Sequence, residues 1–399
     1  MESPLSADDI SLLTTYLTDP SHNPKDEETR ERIILACETA ITSLRTPIET
    51  ARKHAFLSLD HAVTRTAVSL NIFALLTTSP DGHPTTNGLA SSTTPPCHPT
   101  LLRRLLRYLA SPLRLVVEQG PDEWSISSTG QILASDSFSA GCKMYFDTCG
   151  PAFRALPGWV ASSPQSGTPF QAAGEKDFFT WLHRDAASLQ DFHDWMNTLA
   201  KHQFAAQETI DFREWISTAD VLAGNEGVAF VDVGGGSGGQ CLALRKKMGQ
   251  SGRIVNQDRE EVVREAKTSL GEVGIEVMAH DFFEEQPIRG SQIYHFRQIL
   301  HDWPDDDCVR ILKRTREAMD FTSTLLIDEV VMPDCGAHWM VTQRDLTMLA
   351  LFNAGERTEQ EWRTLIGQAG LVLEEIRPYD ARMAACVLVA KVAKPNRAG

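Results

Sequence analysis

The stretch Val231-Asp232-Val233-Gly234-Gly235-Gly236-Ser237-Gly238-Gly239 decides how this chain is read. It closes an apolar, strand-like run (228–233) and opens a helical pattern (239–248). Glycine lets the backbone turn tightly and approach a bound molecule with no Cβ in the way. The helix start behind the turn offers unpaired N–H groups and a partial positive charge. Strand, glycine turn and helix in that order form a seat for an anionic or carboxylate-bearing ligand.

Outward from this turn, the second half of the chain keeps one rhythm. Strand-like runs at 253–257, 276–280, 292–296 and 324–331 alternate with helical patterns at 260–270 and 305–319. A further helix is predicted at 357–370 and a last strand at 386–392. This alternation predicts an α/β fold, a Rossmann-like, doubly wound parallel sheet. The first half differs. Apolar residues at helical spacing predict helices over 8–18, 26–44 and 52–76. Leu101, Leu102, Leu105, Leu106 and Leu109 predict an amphipathic helix entered through Pro99. Two short strand-like runs follow, 113–118 and 124–127, joined by Gln119-Gly120-Pro121-Asp122-Glu123. Helices followed by a β-hairpin read as a winged-helix unit. Ser79-Pro80-Asp81-Gly82 marks a break before it.

At 399 residues the chain is long enough for two or three domains. The change of character places a boundary near residue 200, giving 1–200 and 201–399. Apolar residues make up 42% and charged residues 23%, ordinary for a soluble globular protein. Lys and Arg total 38 against 53 Asp and Glu, a net charge of −15. Phosphate neutralisation needs the opposite surplus, so no nucleic-acid partner is expected, although Arg103, Arg104, Arg107 and Arg114 cluster near the hairpin. No apolar run approaches the roughly 18–20 residues of a membrane span, so no membrane partner is expected. The start, Met1-Glu2-Ser3-Pro4, lacks the basic and apolar regions of a secretory signal, and the end matches no lipidation or retention tail. The eight cysteines are scattered without paired spacing. They read as thiols in a reducing, cytoplasmic setting.

The turn formally satisfies Gly234-x-Gly236-x-x-Gly239, a dinucleotide fingerprint. Asp258 follows after the second strand, where an acid holds ribose hydroxyls. Neither feature separates a nicotinamide dinucleotide from S-adenosylmethionine. Asp232, two residues before the first glycine, tilts the reading toward the latter, where an acid helps hold the methionine end.

Three segments carry a resemblance: the glycine turn, Leu300-His301-Asp302-Trp303-Pro304-Asp305-Asp306-Asp307-Cys308, and Gly355-Glu356-Arg357-Thr358-Glu359-Gln360-Glu361. On these, the chain resembles the plant-type and fungal small-molecule O-methyltransferases of the caffeic acid and isoflavone type. The order of elements agrees over nearly the whole chain. The resemblance implies a Rossmann-like methyltransferase domain preceded by a helical, winged-helix dimerisation domain, hence a homodimer acting on a small molecule. In that family the N-terminal module also closes the partner's substrate pocket. The implied cofactor is S-adenosylmethionine. Asp232, Gly234, Gly235 and Gly236 are implied at its methionine end, Asp258 at the ribose, and Asp281 and Phe282 at the adenine. Arg297 matches a basic cofactor-contacting position.

The resemblance also implies His301 as general base, flanked by Glu329 and Glu356. Histidine titrates near neutrality, and adjacent carboxylates fix its tautomer. The sulfonium methyl is already activated, so the remaining tasks are alignment of an oxygen and removal of its proton. Phe170, Trp181, Met196, Trp339, Met340, Met348 and Phe352 are candidates to line an acceptor pocket. No metal is expected: Asp302, Asp305, Asp306 and Asp307 suit a helix start rather than one ion. The predicted reaction methylates a hydroxyl of an aromatic or polyketide-like secondary metabolite. The alternative is a pericyclase on the same fold, since the family includes fungal members that hold the cofactor unconsumed as a fixed positive charge. The presence of His301, Glu329 and Glu356 together favours transfer.

Overall fold

The computed structural model describes residues 7–18, 26–79, 82–162, 167–202, 205–217 and 227–393. Residues 1–6, 80–81 and 394–399 considered above lie outside these. The chain divides into two compact units, Met1–Cys142 and Lys143–Gly399.

The first unit is helical. The expected helix at 52–76 is three helices, Pro47–Ala55, Leu57–Ser69 and Ile72–Thr77, the last two separated by Asn71 at φ +54°. Thr46 and Glu49 form a reciprocal capping box that starts the first of them. The leucine-rich helix is Pro99–Ala110. Leu102, Leu106 and Leu109 are fully buried against Ile72, Phe73, Leu89 and Trp124, whereas Leu101 is exposed. The hairpin follows as β1 (Val116–Gly120) antiparallel to β2 (Glu123–Ile126). Arg103 reaches Asp122 in its turn at 2.9 Å, so one arginine of the basic cluster is engaged within the fold.

The second unit is built on one sheet. Its strands are β3 (Val228–Val233), β4 (Arg253–Asp258), β5 (Glu276–Ala279), β6 (Ile293–Arg297), β7 (Thr324–Met332), β8 (Arg357–Thr358), β9 (Leu371–Asp380) and β10 (Ala385–Val392). The order is β5-β4-β3-β6-β7-β10-β9, with β8 paired to β7 off this path. The first five run parallel, and β10 is antiparallel to both neighbours. Every residue of β3 is buried, as a central parallel strand covered on both faces requires. Val231 and Val233 pack with Phe296 and Trp362 on one side, and Phe230 packs with Phe212 and Ile254 on the other.

The second unit also differs from the sequence expectation. No strand is legible at β9, because Leu371 and Leu373 are its only buried apolar positions and the alternation fades beyond Leu373. The helix expected from 357 begins at Glu359, after β8. Residues 143–202 pack within the second unit, because their rings are buried against Ala350, Leu351 and Phe352 of the helix Trp339–Phe352.

Candidate active site

The glycine turn is drawn onto the end of β4. Gly234 and Gly235 both donate to the carbonyl of Gln257, at 2.8 and 2.9 Å. Gly234 and Gly236 have φ of +72° and +55°, where a side chain costs about 1–2 kcal/mol. A Cβ on Gly235 would lie 2.1 Å from Asn256 Oδ1 and 2.7 Å from Asp232 Oδ2. A Cβ on Gly236 would meet nothing within 4 Å, so the turn opens there onto free space.

Acids surround this turn at the carboxyl ends of the strands. Asp258 ends β4 and accepts from Gly236 N and Arg259 N, each at 2.8 Å. Burial pushes its carboxyl above the ordinary range, against the pull of those two amides. Asp281, exposed beyond β5, accepts from Phe283 N at 3.0 Å. Phe282 stands edge-on to Trp303, ring centroids 5.9 Å apart. Arg297 ends β6 with Nε 3.2 Å from Asp328 Oδ2. Asp232 lies within β3, buried, its Oδ1 2.7 Å from His295 Nδ1.

Next to the β6 end, a short 3₁₀ turn, Leu300–Asp302, carries His301. Its Nδ1 is 2.9 Å from Glu356 Oε1, and its Nε2 is 3.6 Å from Asp302 Oδ1. Glu329, on β7, holds the start of this turn: its Oε1 accepts from Ile299 N and Leu300 N, both at 2.9 Å. Arg357 holds the other end, donating to the carbonyls of Leu300 at 3.0 Å and Trp303 at 2.8 Å. Glu329 Oε2 and Glu356 Oε2 are buried without a hydrogen-bond partner.

The electrostatics follow from this crowding. Burial opposes a charge on the His301 ring, but the carboxylates of Glu329, Asp302 and Glu356 outweigh it and raise its pKa. Burial would raise Glu356 too, but His301 and Arg344 hold it below the usual carboxylate range. Burial raises Glu329. The donor atoms of His301, Glu329 and Glu356 lie within 4.8 Å of one another. A guanidinium, that of Arg344, already sits 2.5 Å from the Glu356 oxygen of that set.

A wall of rings belongs to the same unit. Phe178 stands edge-on to Phe170, Phe192 and Phe352, and Phe179 stacks on Phe352 at 5.4 Å. A π-helical turn, Met144–Cys149, brings Tyr145 edge-on to Trp195 at 6.2 Å. Such turns are frequent at functional sites.

The sequence model of the O-methyltransferase domain matches residues 154–372. The chain is 52% identical over 346 residues to O-methyltransferase apf6 of Gibberella fujikuroi, covering 85% of this chain and 96% of that protein. Among solved structures, LepI in complex with S-adenosylmethionine matches at 29% identity and a TM-score of 0.83, covering 97% of this chain and all of that one. A chain described as a pericyclic reaction enzyme matches at 29% identity and a TM-score of 0.82, over 97% and 99%. The protein belongs to the S-adenosylmethionine-dependent O-methyltransferase family. Its relatives place it among the fungal O-methyltransferases of secondary metabolism.

The cofactor of this methyltransferase family fits the residues present. The open face over Gly236 leaves room for it, and Asp258 beside that face is a half-buried carboxyl able to meet hydroxyl groups. The structure gathers Gly234, Gly235, Gly236 and Asp258 into one hydrogen-bonded turn, and His301, Glu329 and Glu356 into one cluster. Phe170, Trp181, Met196 and Phe352 share the aromatic cluster, where Phe170 is fully buried. Trp339 stands outside it, 61% exposed and beside His338. Met340 and Met348 are half-buried on the same helix as Trp339. Sequence reasoning did not single out Arg344, or Arg357 beyond its place in a motif. An arginine in an amphipathic helix reads as solvated, and only the return of the chain to Glu356 shows otherwise.

Proposed function

We propose that the protein transfers the methyl group of S-adenosylmethionine to a hydroxyl of an aromatic or polyketide-like secondary metabolite, with His301 as general base. The contact that carries this reading is His301 Nδ1 to Glu356 Oε1, 2.9 Å. A carboxylate held ionised there keeps the ring proton on Nδ1, which leaves Nε2 to take the proton of the acceptor hydroxyl. Glu329 holds the backbone of the turn and adds negative charge that stabilises the imidazolium once formed. The cofactor supplies an electrophilic methyl on a sulfonium. Gly234, Gly235 and Gly236 would hold its methionine end, Asp258 the ribose, and Asp281 and Phe282 the adenine. Arg297 would face the same ligand, and Asp232, paired with His295, would help hold the methionine end. Phe352, Trp181 and Met196, with Met340, Met348 and Trp339, would bound the acceptor.

In this reading the segment up to about residue 200 serves dimerisation and substrate enclosure, and 201–399 carries the cofactor. Leu35, Ile41, Leu44, Ile48, Phe56 and Leu57 are exposed on the N-terminal helices, which supports a homodimer. The described cysteines are all free, in keeping with a cytoplasmic enzyme. No helix among the described residues is long and apolar enough to cross a membrane.

One observation favours a second reading. A ring whose pKa is raised is cationic near neutrality, and a fixed imidazolium suits hydrogen-bond donation in a rearrangement on the same fold. Product mass separates the two. The enzyme is incubated with S-adenosylmethionine and hydroxylated aromatic metabolites. Gain of one methyl with release of S-adenosylhomocysteine supports transfer, and an isomeric product with the cofactor unconsumed supports rearrangement.

A further inference from the structure

We propose that Arg344 and Asp345, consecutive residues of the helix Trp339–Phe352, are positioning residues that clamp Glu356 from two sides and so set the orientation and basicity of His301; this rests on the reading of His301 as base. Arg344 Nε lies 2.5 Å from Glu356 Oε1, the same oxygen that meets His301 Nδ1 at 2.9 Å. Asp345 Oδ1 accepts the backbone N–H of Glu356 at 2.9 Å. One residue therefore holds the carboxylate and the next holds the backbone that carries it.

The chain is built to allow this approach. Asn353 ends the helix at φ +54° and turns the chain back. A Cβ on Gly355 would come within 2.7 Å of Asp345 Oδ1, so a glycine before Glu356 is what admits the Asp345 carboxylate.

Sharing one oxygen has an electrostatic consequence. Glu356 Oε2 has no partner, so the imidazole and the guanidinium compete for Oε1. The groups facing the ring are Asp302 on its own turn, Glu329 from β7, and Glu356 with Arg344 behind it. Asp328, Tyr379 and Tyr145 face Arg344 from β7, β9 and the π-helical turn. Three carboxylates would make the ring a very weak proton donor, and Arg344 is the cation that offsets them. Without it, His301 holds its proton more tightly and serves less well as a base at neutral pH.

The test uses the full-length protein with Arg344→Gln, Arg344→Lys and Asp345→Asn. The His301 pKa is read by NMR of the histidine side chains, assigned by the signal lost in His301→Ala. Arg344→Gln should raise that pKa by about one unit and lower kcat by roughly 10–100-fold, with cofactor Kd unchanged. Arg344→Lys keeps the charge and should return the pKa to within a few tenths of wild type. Asp345→Asn should lower kcat while leaving the pKa in place. In a Glu356→Gln background, Arg344→Gln should add no further loss in kcat, because both act through one carboxylate. A His301 pKa that stays or falls in a folded Arg344→Gln protein overturns the proposal. Full turnover in His301→Ala removes the base reading instead, and the NMR titration still reports on the clamp.

Discussion

Glu356 and His301 meet across 55 residues of sequence, Oε1 to Nδ1 at 2.9 Å, with neither group open to bulk solvent. The contact leaves the other ring nitrogen as the one able to accept a proton. It also makes the helix Trp339–Phe352, through Arg344, part of the machinery around the base.

Replacing the ring tests its role directly. His301→Ala should lower turnover by about 10²–10⁴-fold, the usual contribution of a positioned base. Cofactor affinity by calorimetry should stay within about twofold of wild type, because the glycine turn is held by Gln257 and Asp258. Loss of cofactor binding alongside turnover would show that the ring supports the turn rather than the chemistry.

The pH profile carries a sign. A base works only unprotonated, and the carboxylates around His301 raise its pKa to about 9 against the cost of burial. Under methyl transfer, kcat/KM should rise with pH through the alkaline range and fall as pH drops below that value. Under a rearrangement that uses the imidazolium, activity should be full at neutral pH and fall as pH rises through it. Rate measurements from pH 6 to 10 with a fixed acceptor give the direction.

Asp258→Asn should weaken S-adenosylmethionine binding by about 10–100-fold, since charge-assisted hydrogen bonds contribute roughly 1.5–3 kcal/mol. The substitution keeps an oxygen for the Gly236 amide but sets an NH2 against the Arg259 N–H, so thermal stability should also fall, by about 1 kcal/mol. An unaltered Kd by calorimetry would count against the ribose assignment.

Neighbouring glycines should respond differently. Gly235→Ala drives a methyl into Asn256 and Asp232 and should cost about 1–3 kcal/mol of stability by overpacking. Gly236→Ala meets no atom within 4 Å but carries φ +55°, so it should cost only about 1–2 kcal/mol of backbone strain. Its larger effect should be on cofactor affinity, because the new methyl enters the open face. Denaturant unfolding and calorimetry on both variants separate the two; equal affinity losses would argue against an open binding face at Gly236.

Much of the fold was legible because its signals are local. Val228–Val233 is apolar except for Asp232 since a central strand is covered on both sides, and the glycines after it mark a turn that other residues cannot make without strain. The strand–helix rhythm up to β7 could be read from period alone. β9 could not, because only Leu371 and Leu373 are buried apolar positions in it, and a strand supported mainly by its pairing with β10 leaves little hydrophobic pattern. The packing of residues 143–202 with the second unit was equally hidden: aromatic richness tells that rings are buried, but not against what.

The sequence by itself determined that a glycine turn follows a buried strand, that an acid follows the next strand, and that a histidine precedes a helix rich in acids at its start. Each of these is written in neighbouring residues, where backbone geometry and helix electrostatics act over a few ångströms of chain. The tertiary structure alone decided that one oxygen of Glu356 is shared between His301 and Arg344, and that Arg357 holds the turn carrying the ring. Those contacts join the turn after β6, the helix Trp339–Phe352 and the chain entering and starting β8. Charges so far apart in sequence act on one another only after the sheet has brought the ends of its strands together.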